Sequence, residues 1–165
     1  QGAVALAQIP KMEQRLAGYR GAKRRIVQGV ADCPGIEFQR IPDPQGECGV
    51  NVLFFARDAA TAGRIIAALR AEGVPAGGIY SETVRDWHIY THWDHVLQCK
   101  AATHDGLPWS ALPQAERPQY SPDMCPRSLD LLSRLVAIPT SWDYTDEECD
   151  AIAAGTRKVL CALAR

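Results

Sequence analysis

The 165 residues fit one ordinary domain, and a hydrophobic content of 47% is enough to fill its core. With 18 basic against 19 acidic side chains the formal net charge is −1, which leaves no basic surface of the kind that phosphate backbones or anionic membranes select. No apolar run nears the roughly 20 residues needed to cross a bilayer, and residues 1–9 lack the charged start and cleavage pattern of a signal peptide. Nucleic acid and membranes are therefore excluded as expected partners, and a cytoplasmic protein is expected.

Residues 3–31 place Val4, Leu6, Ile9, Met12, Leu16, Tyr19, Ile26, Val27 and Val30 near a helical period, which predicts a long helix kinked near Pro10. The chain enters this pattern at Gln1 without a start signal, so a piece of a longer protein is expected. Cys33-Pro34-Gly35 is helix-stop chemistry. Ile36–Ile41 alternates as a half-buried strand does, Pro42–Gly49 reads as a turn, and Val50–Phe55 is a second, more apolar strand.

Asp58 is placed to cap a helix whose apolar face is Ala62, Ile65, Ile66 and Leu69, with Gly73 where a C-terminal cap belongs. A short third strand is expected near Ala76–Tyr80. Residues 81–126 are rich in aromatics, histidine and proline and show little periodicity beyond a short helix over Trp87–Leu97. A segment of that length without regular structure usually carries function or flexibility. Leu129–Leu135 predicts a short helix and Val136–Pro139 an apolar strand. Thr145 and Glu148 have the spacing of a reciprocal capping box at the start of a last helix that runs to Ala164. The order predicts an α+β layer: a few-stranded, mostly antiparallel sheet with helices on one side.

Cys33, Cys48, Cys99, Cys125, Cys149 and Cys161 are scattered without a CxxC pair, so they read as mostly reduced, since free cysteine behaves as a small buried hydrophobe. The densest chemistry lies in the irregular segment, where Tyr80, Trp87, His88, Tyr90, His92, Trp93 and His95 fall close together. They combine flat apolar surfaces with hydrogen-bonding tips, which suits sugar rings and hydroxyls. Arg85 is a candidate to neutralise a substrate carboxylate.

Two alternatives stand beside that reading. His88, His92 and His95 are spaced by four and three, which on one helix face would seat zinc with Asp94 or an outside ligand. The interleaved Trp87 and Trp93 and the lack of a second liganding cluster weigh against it. The other is a non-catalytic sugar-binding module.

Four stretches in order resemble the C-terminal portion of the DegT/DnrJ/StrS aminotransferases, fold-type-I enzymes that use pyridoxal phosphate (PLP) to aminate keto sugars. Gln1-Gly2-Ala3-Val4-Ala5-Leu6-Ala7-Gln8-Ile9 resembles the family's "QAALGLAQL" helix. Gly49–Phe55, followed by Leu69-Arg70-Ala71-Glu72-Gly73-Val74, resembles its strand, helix and "L-x-x-x-G-I" pattern. Tyr80 through His92 stands where the family places a Tyr or His with further histidines. Val136-Ala137-Ile138-Pro139 with Thr145-Asp146-Glu147-Glu148 resembles its closing "LP" strand and "T-x-E-E" helix start.

The chain departs from the family at Ile79–Leu97, which is expanded, and over Lys100–Pro126. There Tyr120-Ser121-Pro122-Asp123-Met124-Cys125-Pro126 is similar to the branch acting on an eight-carbon keto-sugar acid.

The resemblance implies that 1–33 is a helix linking to a large domain outside this chain and that 34–165 is the C-terminal small domain. It also implies an amino-acid donor, a keto-sugar acceptor, a homodimer at full length, and PLP held mainly by the N-terminal domain. Tyr80, Arg85, Trp87, His88 and His92 become the expected substrate contacts. Lys11, Lys23, Lys100 and Lys158 are expected to be solvated amines rather than the Schiff-base lysine that transamination needs, so no catalytic or cofactor-binding residue is assigned here.

Overall fold

A computed structural model describes residues 1–79 and 85–163. Contacts divide the chain into two compact units, Gln1–Gly78 with Arg134–Arg165, and Ile79–Ser133. The long opening helix forms in two pieces, α1 (Gly2–Gln8) and α2 (Met12–Val30), joined by a 3₁₀ turn over Ile9–Lys11. Pro10 is the cause, since it has no N–H to donate and its ring crowds the preceding turn.

Ala22, Lys23, Ile26 and Val30 are the buried residues of α2. α2 packs along the closing helix, α6 (Asp146–Leu163), which buries Cys149, Ala153, Thr156, Val159 and Leu160, while Lys23 turns to Glu47 of the Pro42–Gly49 turn. The two helices run side by side in the same direction. Arg25 bonds Asp146 and Asp150 at 2.6–2.7 Å, and further along Arg157 donates to the Gly29 carbonyl at 2.7 Å and pairs with Asp32. These ion pairs are largely exposed and add little stability, so the apolar seam holds the helices together.

The sheet is antiparallel, with β2 (Asn51–Ala56) between β1 (Ile36–Phe38) and β3 (Leu135–Pro139). Val52 faces Ile138 and Phe54 faces Val136 across the ladder. Val52, Phe54 and Ala56 are buried while Asn51, Leu53 and Phe55 are only partly covered, the alternation of a sheet packed on one side. Phe54, Ile26, Ile65, Leu69, Ile138 and Leu160 are completely buried, each contributing about 1.5–3 kcal/mol by leaving water.

The local stops match the chemistry of the residues. Asp58 Oδ1 accepts the Thr61 N–H at 2.7 Å and caps α3 (Ala59–Ala71). At its other end Gly73 takes φ +82°, the Val74 N–H returns to the Leu69 carbonyl at 2.9 Å and the Gly73 N–H to that of Arg70 at 3.1 Å. That pair of bonds is a Schellman cap, and it needs the left-handed residue. The Thr145–Glu148 capping box is reciprocal: the Thr145 N–H donates to the Glu148 carboxylate at 2.8 Å and the Glu148 N–H to Thr145 Oγ1 at 3.2 Å.

Four expectations are corrected. β1 ends at Phe38 rather than Ile41: the Gln39 N–H still donates to the Leu53 carbonyl at 3.0 Å, but Arg40 and Ile41 leave the ladder ahead of the Pro42–Gly49 turn. The third strand near Ala76–Tyr80 is a single bridge between Gly77 and Ala137, and Tyr80 lies outside the described residues. Arg70 Nε occupies the Ala76 carbonyl at 2.7 Å, so that carbonyl is bonded to a side chain rather than to a strand neighbour. The Trp87–Leu97 helix is instead a 3₁₀ turn over Tyr90–His92 and a single turn, α4 (Asp94–Leu97). The predicted helix at Leu129–Leu135 starts earlier, as α5 (Pro126–Arg134).

Candidate functional site

Within Ile79–Ser133 the expected contact residues are organised by two aspartates. Asp86 Oδ1 accepts the His88 backbone N–H at 2.9 Å, closing an Asx turn, and also meets His88 Nδ1 at 2.7 Å. The His88 amide and ring hold the Asp86 carboxyl below the usual carboxylate range. A carboxylate can only accept, so the proton of neutral His88 sits on Nδ1 and Nε2 offers a lone pair outward. The side chain is 94% exposed, so that nitrogen is open to a ligand.

Asp86 also directs His92, from its backbone. Its N–H lies 2.8 Å from His92 Nδ1, and its carbonyl oxygen 3.0 Å from the same atom. An amide N–H can only donate, so Nδ1 is the acceptor, the carbonyl contact is not a hydrogen bond, and neutral His92 carries its proton on Nε2. One residue thus sets two imidazoles in opposite tautomers, and that of His88 presents an acceptor. Residue types alone marked both as hydrogen-bonding tips without a direction. An aspartate two residues before His88 was the available signal.

Arg85 is not a lone guanidinium. It pairs with Asp94 at 2.9 Å and lies over the Trp87 ring at 5.7 Å, so much of its charge is already answered. Trp87 is 57% exposed, so much of its flat apolar surface is open. Trp93 Nε1 donates to the Trp87 carbonyl at 2.6 Å, and Tyr90 Oη donates to the Pro122 carbonyl at 2.5 Å while accepting the Cys125 N–H at 3.2 Å. The latter two side chains build the segment rather than present polar tips to a ligand. The structure gathers Arg85, Trp87, His88 and His92 around Asp86 and Asp94, and Tyr80 falls outside the described residues.

The zinc alternative loses its geometry. The expected helix face breaks at the 3₁₀ turn, His88 is engaged by Asp86, His95 is exposed on α4, and no group of three or more metal-ligating side chains forms among the described residues. The lysines do not fit a PLP site either. Lys23 is buried against the Glu47 carboxylate, Lys158 is held by both Glu72 oxygens at 2.8 Å, and Lys11 and Lys100 are exposed. No helix among the described residues is long and apolar enough to cross a membrane.

No protein-family model matches the chain. Its fold does match solved proteins. TlmJ, an aminotransferase from Streptoalloteichus hindustanus, superposes with a TM-score of 0.64 at 15% identity, over 96% of this chain and 35% of that one. A DegT DnrJ EryC1 StrS aminotransferase from Brucella abortus does so with a TM-score of 0.59 at 18% identity, over 96% and 34%. DesI, solved in the presence of its TDP-sugar product, does so with a TM-score of 0.56 at 18% identity, over 94% and 34%. This chain has the fold of part of an aminotransferase. It spans about a third of the length of those proteins, and at these identities the likeness is one of fold.

Proposed function

We propose that the chain is the C-terminal small domain, residues 34–165 with the linking helix 1–33, of a PLP-dependent aminotransferase that moves an amino group from an amino-acid donor to a keto sugar. The observation that carries this reading is the fold match over nearly the whole chain to aminotransferases and to DesI, solved with its TDP-sugar product, together with the four ordered stretches of sequence resemblance. A third of an enzyme does not need its own cofactor site. The misfit of the four lysines therefore agrees with PLP being held by a large domain outside this chain, where it would supply the electron sink for transamination.

Exposed apolar residues at the start of the chain support the same reading, since Val4 and Leu6 of α1 and Ile9 of the following 3₁₀ turn stand 61–73% exposed. Such groups ask for a partner surface. In the full-length protein, taken as a cytoplasmic homodimer, that partner is the large domain.

The contribution of this chain to chemistry is positioning. His88 Nε2 as acceptor can pair a hydroxyl of a sugar, Trp87 can cover an apolar ring face, and His92, Arg85 and Tyr80 complete the expected set. The preferred acceptor is an eight-carbon keto-sugar acid, with a nucleotide sugar next.

The test uses the product of the complete reading frame. It is expected to bind PLP stoichiometrically and to move ¹⁵N from labelled glutamate to a keto sugar. A complete gene product that binds sugar without PLP and transfers no nitrogen overturns the enzyme reading and leaves the non-catalytic module.

A further inference from the structure

A cavity of about 250 Å³ lies between α2 and the Pro42–Gly49 turn, and three cations, Arg20, Lys23 and Arg24, reach its wall against one carboxylate, Glu47. The turn is fixed in place. Gly49 has φ +80°, and a Cβ there would come within 2.9 Å of the Arg20 backbone nitrogen, so only glycine lets the turn lie on the helix. Arg20 Nε donates to the Glu47 carbonyl at 2.5 Å and Thr140 Oγ1 to the Gly49 carbonyl at 2.7 Å.

Charge is not balanced in this cavity. Lys23 is only 9% exposed, and a buried ammonium must be paired, so the Glu47 carboxylate beside it is already spoken for. Among the described residues the Arg24 guanidinium has no hydrogen-bond or ion-pair partner, and the Nη groups of Arg20 have none. Arg20 and Arg24 are one helical turn apart, hence neighbours on one face of α2. The rest of the wall includes Val27, Ile41 and Pro44, which are apolar.

Two unanswered guanidiniums beside an apolar wall define the ligand. Planar N–H forks receive carboxylate or phosphate oxygens, while Val27, Ile41 and Pro44 exclude water from whatever carries them. We propose that this cavity binds a small organic oxyanion, a carboxylate or phosphate monoester on an apolar body, with its oxygens on Arg20 and Arg24. The site belongs to the sheet-and-helix unit and is independent of the aminotransferase reading.

Calorimetric titration of the protein with phenyl phosphate and with benzoate separates the two oxyanions. Inorganic phosphate and benzyl alcohol supply the charge and the body alone. At least one of the first two is expected to bind one to one, at least about tenfold more tightly than either control. Arg24 is exposed, so Arg24→Ala spares the fold, which an unchanged melting temperature verifies. It should weaken binding by about tenfold or more, the loss of one charge-assisted contact. Arg64→Ala, which removes an equal charge from α3, should leave binding unchanged. The proposal is overturned if neither organic anion binds at millimolar concentration, if either control binds as tightly as the organic anions, or if Arg64→Ala weakens binding as much as Arg24→Ala.

Discussion

The two compact units of this chain are held together by different physics. In the sheet-and-helix unit the core is a set of completely buried side chains, among them Ile26, Phe54, Ile65, Leu69, Ile138 and Leu160. In Ile79–Ser133 the only buried side chain among the described residues is Ile89. Directed hydrogen bonds take the place of a core there: Trp93 Nε1 to the Trp87 carbonyl at 2.6 Å, Trp109 Nε1 to that of Lys100 at 3.0 Å, and Arg117 Nε to that of Leu112 at 3.1 Å. Burial is non-directional and tolerant, whereas such bonds fix individual loop geometries and leave side chains such as His88 and Trp87 outward. The first unit is a scaffold, and the second is where specificity can be built.

The strongest way to break this contrast is to remove a ring from the scaffold. Phe54→Ala is expected to lose about 3–5 kcal/mol in urea unfolding, through lost transfer energy and the cavity left between sheet and helices. Phe54 also meets the Phe38 ring edge-on at 6.3 Å, a contact that no rearrangement of alanine restores. A loss under about 1 kcal/mol would mean that the sheet-and-helix core does not carry the fold.

The second unit is tested through activity. In the complete enzyme, His88→Ala should lower kcat/KM for the keto-sugar acceptor by about ten- to a hundredfold, equivalent to about 1.4–2.7 kcal/mol of transition-state stabilisation. The half-reaction with the amino donor should change less. Equal losses in both half-reactions would point to cofactor geometry or folding, and no loss in either would make His88 a solvated histidine.

The same contrast decides what could be read from sequence. The helix over residues 3–31, the strands around Phe54 and Ile138, and the caps at Asp58, Gly73 and Thr145 were legible, because burial imposes a period and caps use few residue types. Errors fell where pairing or bonding is local to the tertiary structure. Nothing in Ala76–Tyr80 announces that Arg70 will take the Ala76 carbonyl, and nothing in the four-and-three histidine spacing announces the 3₁₀ turn that breaks its helix face. Residue types alone singled out the candidate residues. Their organisation was not legible, because Asp86 acts through one carboxylate and one backbone amide, and Arg85 is answered by Asp94 nine residues on.

A conservative change probes the hydrogen-bonded unit more finely. Tyr90→Phe keeps the ring and deletes the hydroxyl that joins Pro122 and Cys125. The loss is expected to be about 1 kcal/mol and local, so amide exchange around residues 122–126 should accelerate by roughly fivefold while that of the Phe54 strand stays unchanged. Faster exchange in both regions would show that the two units open together.

The smallest effect tests a directed polar contact at the edge of the apolar scaffold. Asp58 caps α3 by accepting the Thr61 N–H at 2.7 Å, and the Thr61 hydroxyl and the Arg57 guanidinium at 3.1 Å stand beside it. The Thr61 amide foremost, then these neighbours, hold its carboxyl below the usual carboxylate range. A folded-state pKa below the unfolded value means stability that is present above the unfolded value of about 3.9 and is lost as pH falls through the folded one. Asparagine caps the same amide about as well but neither ionises nor attracts Arg57 and the helix dipole. Asp58→Asn should therefore melt slightly below the parent at neutral pH, and the gap should close as the pH falls below about 4. Salt should narrow the gap at neutral pH, because both Asp58 and Arg57 are more than half exposed. A gap that persists unchanged to pH 3 would show that the charge contributes nothing and that the cap acts by hydrogen-bond geometry alone.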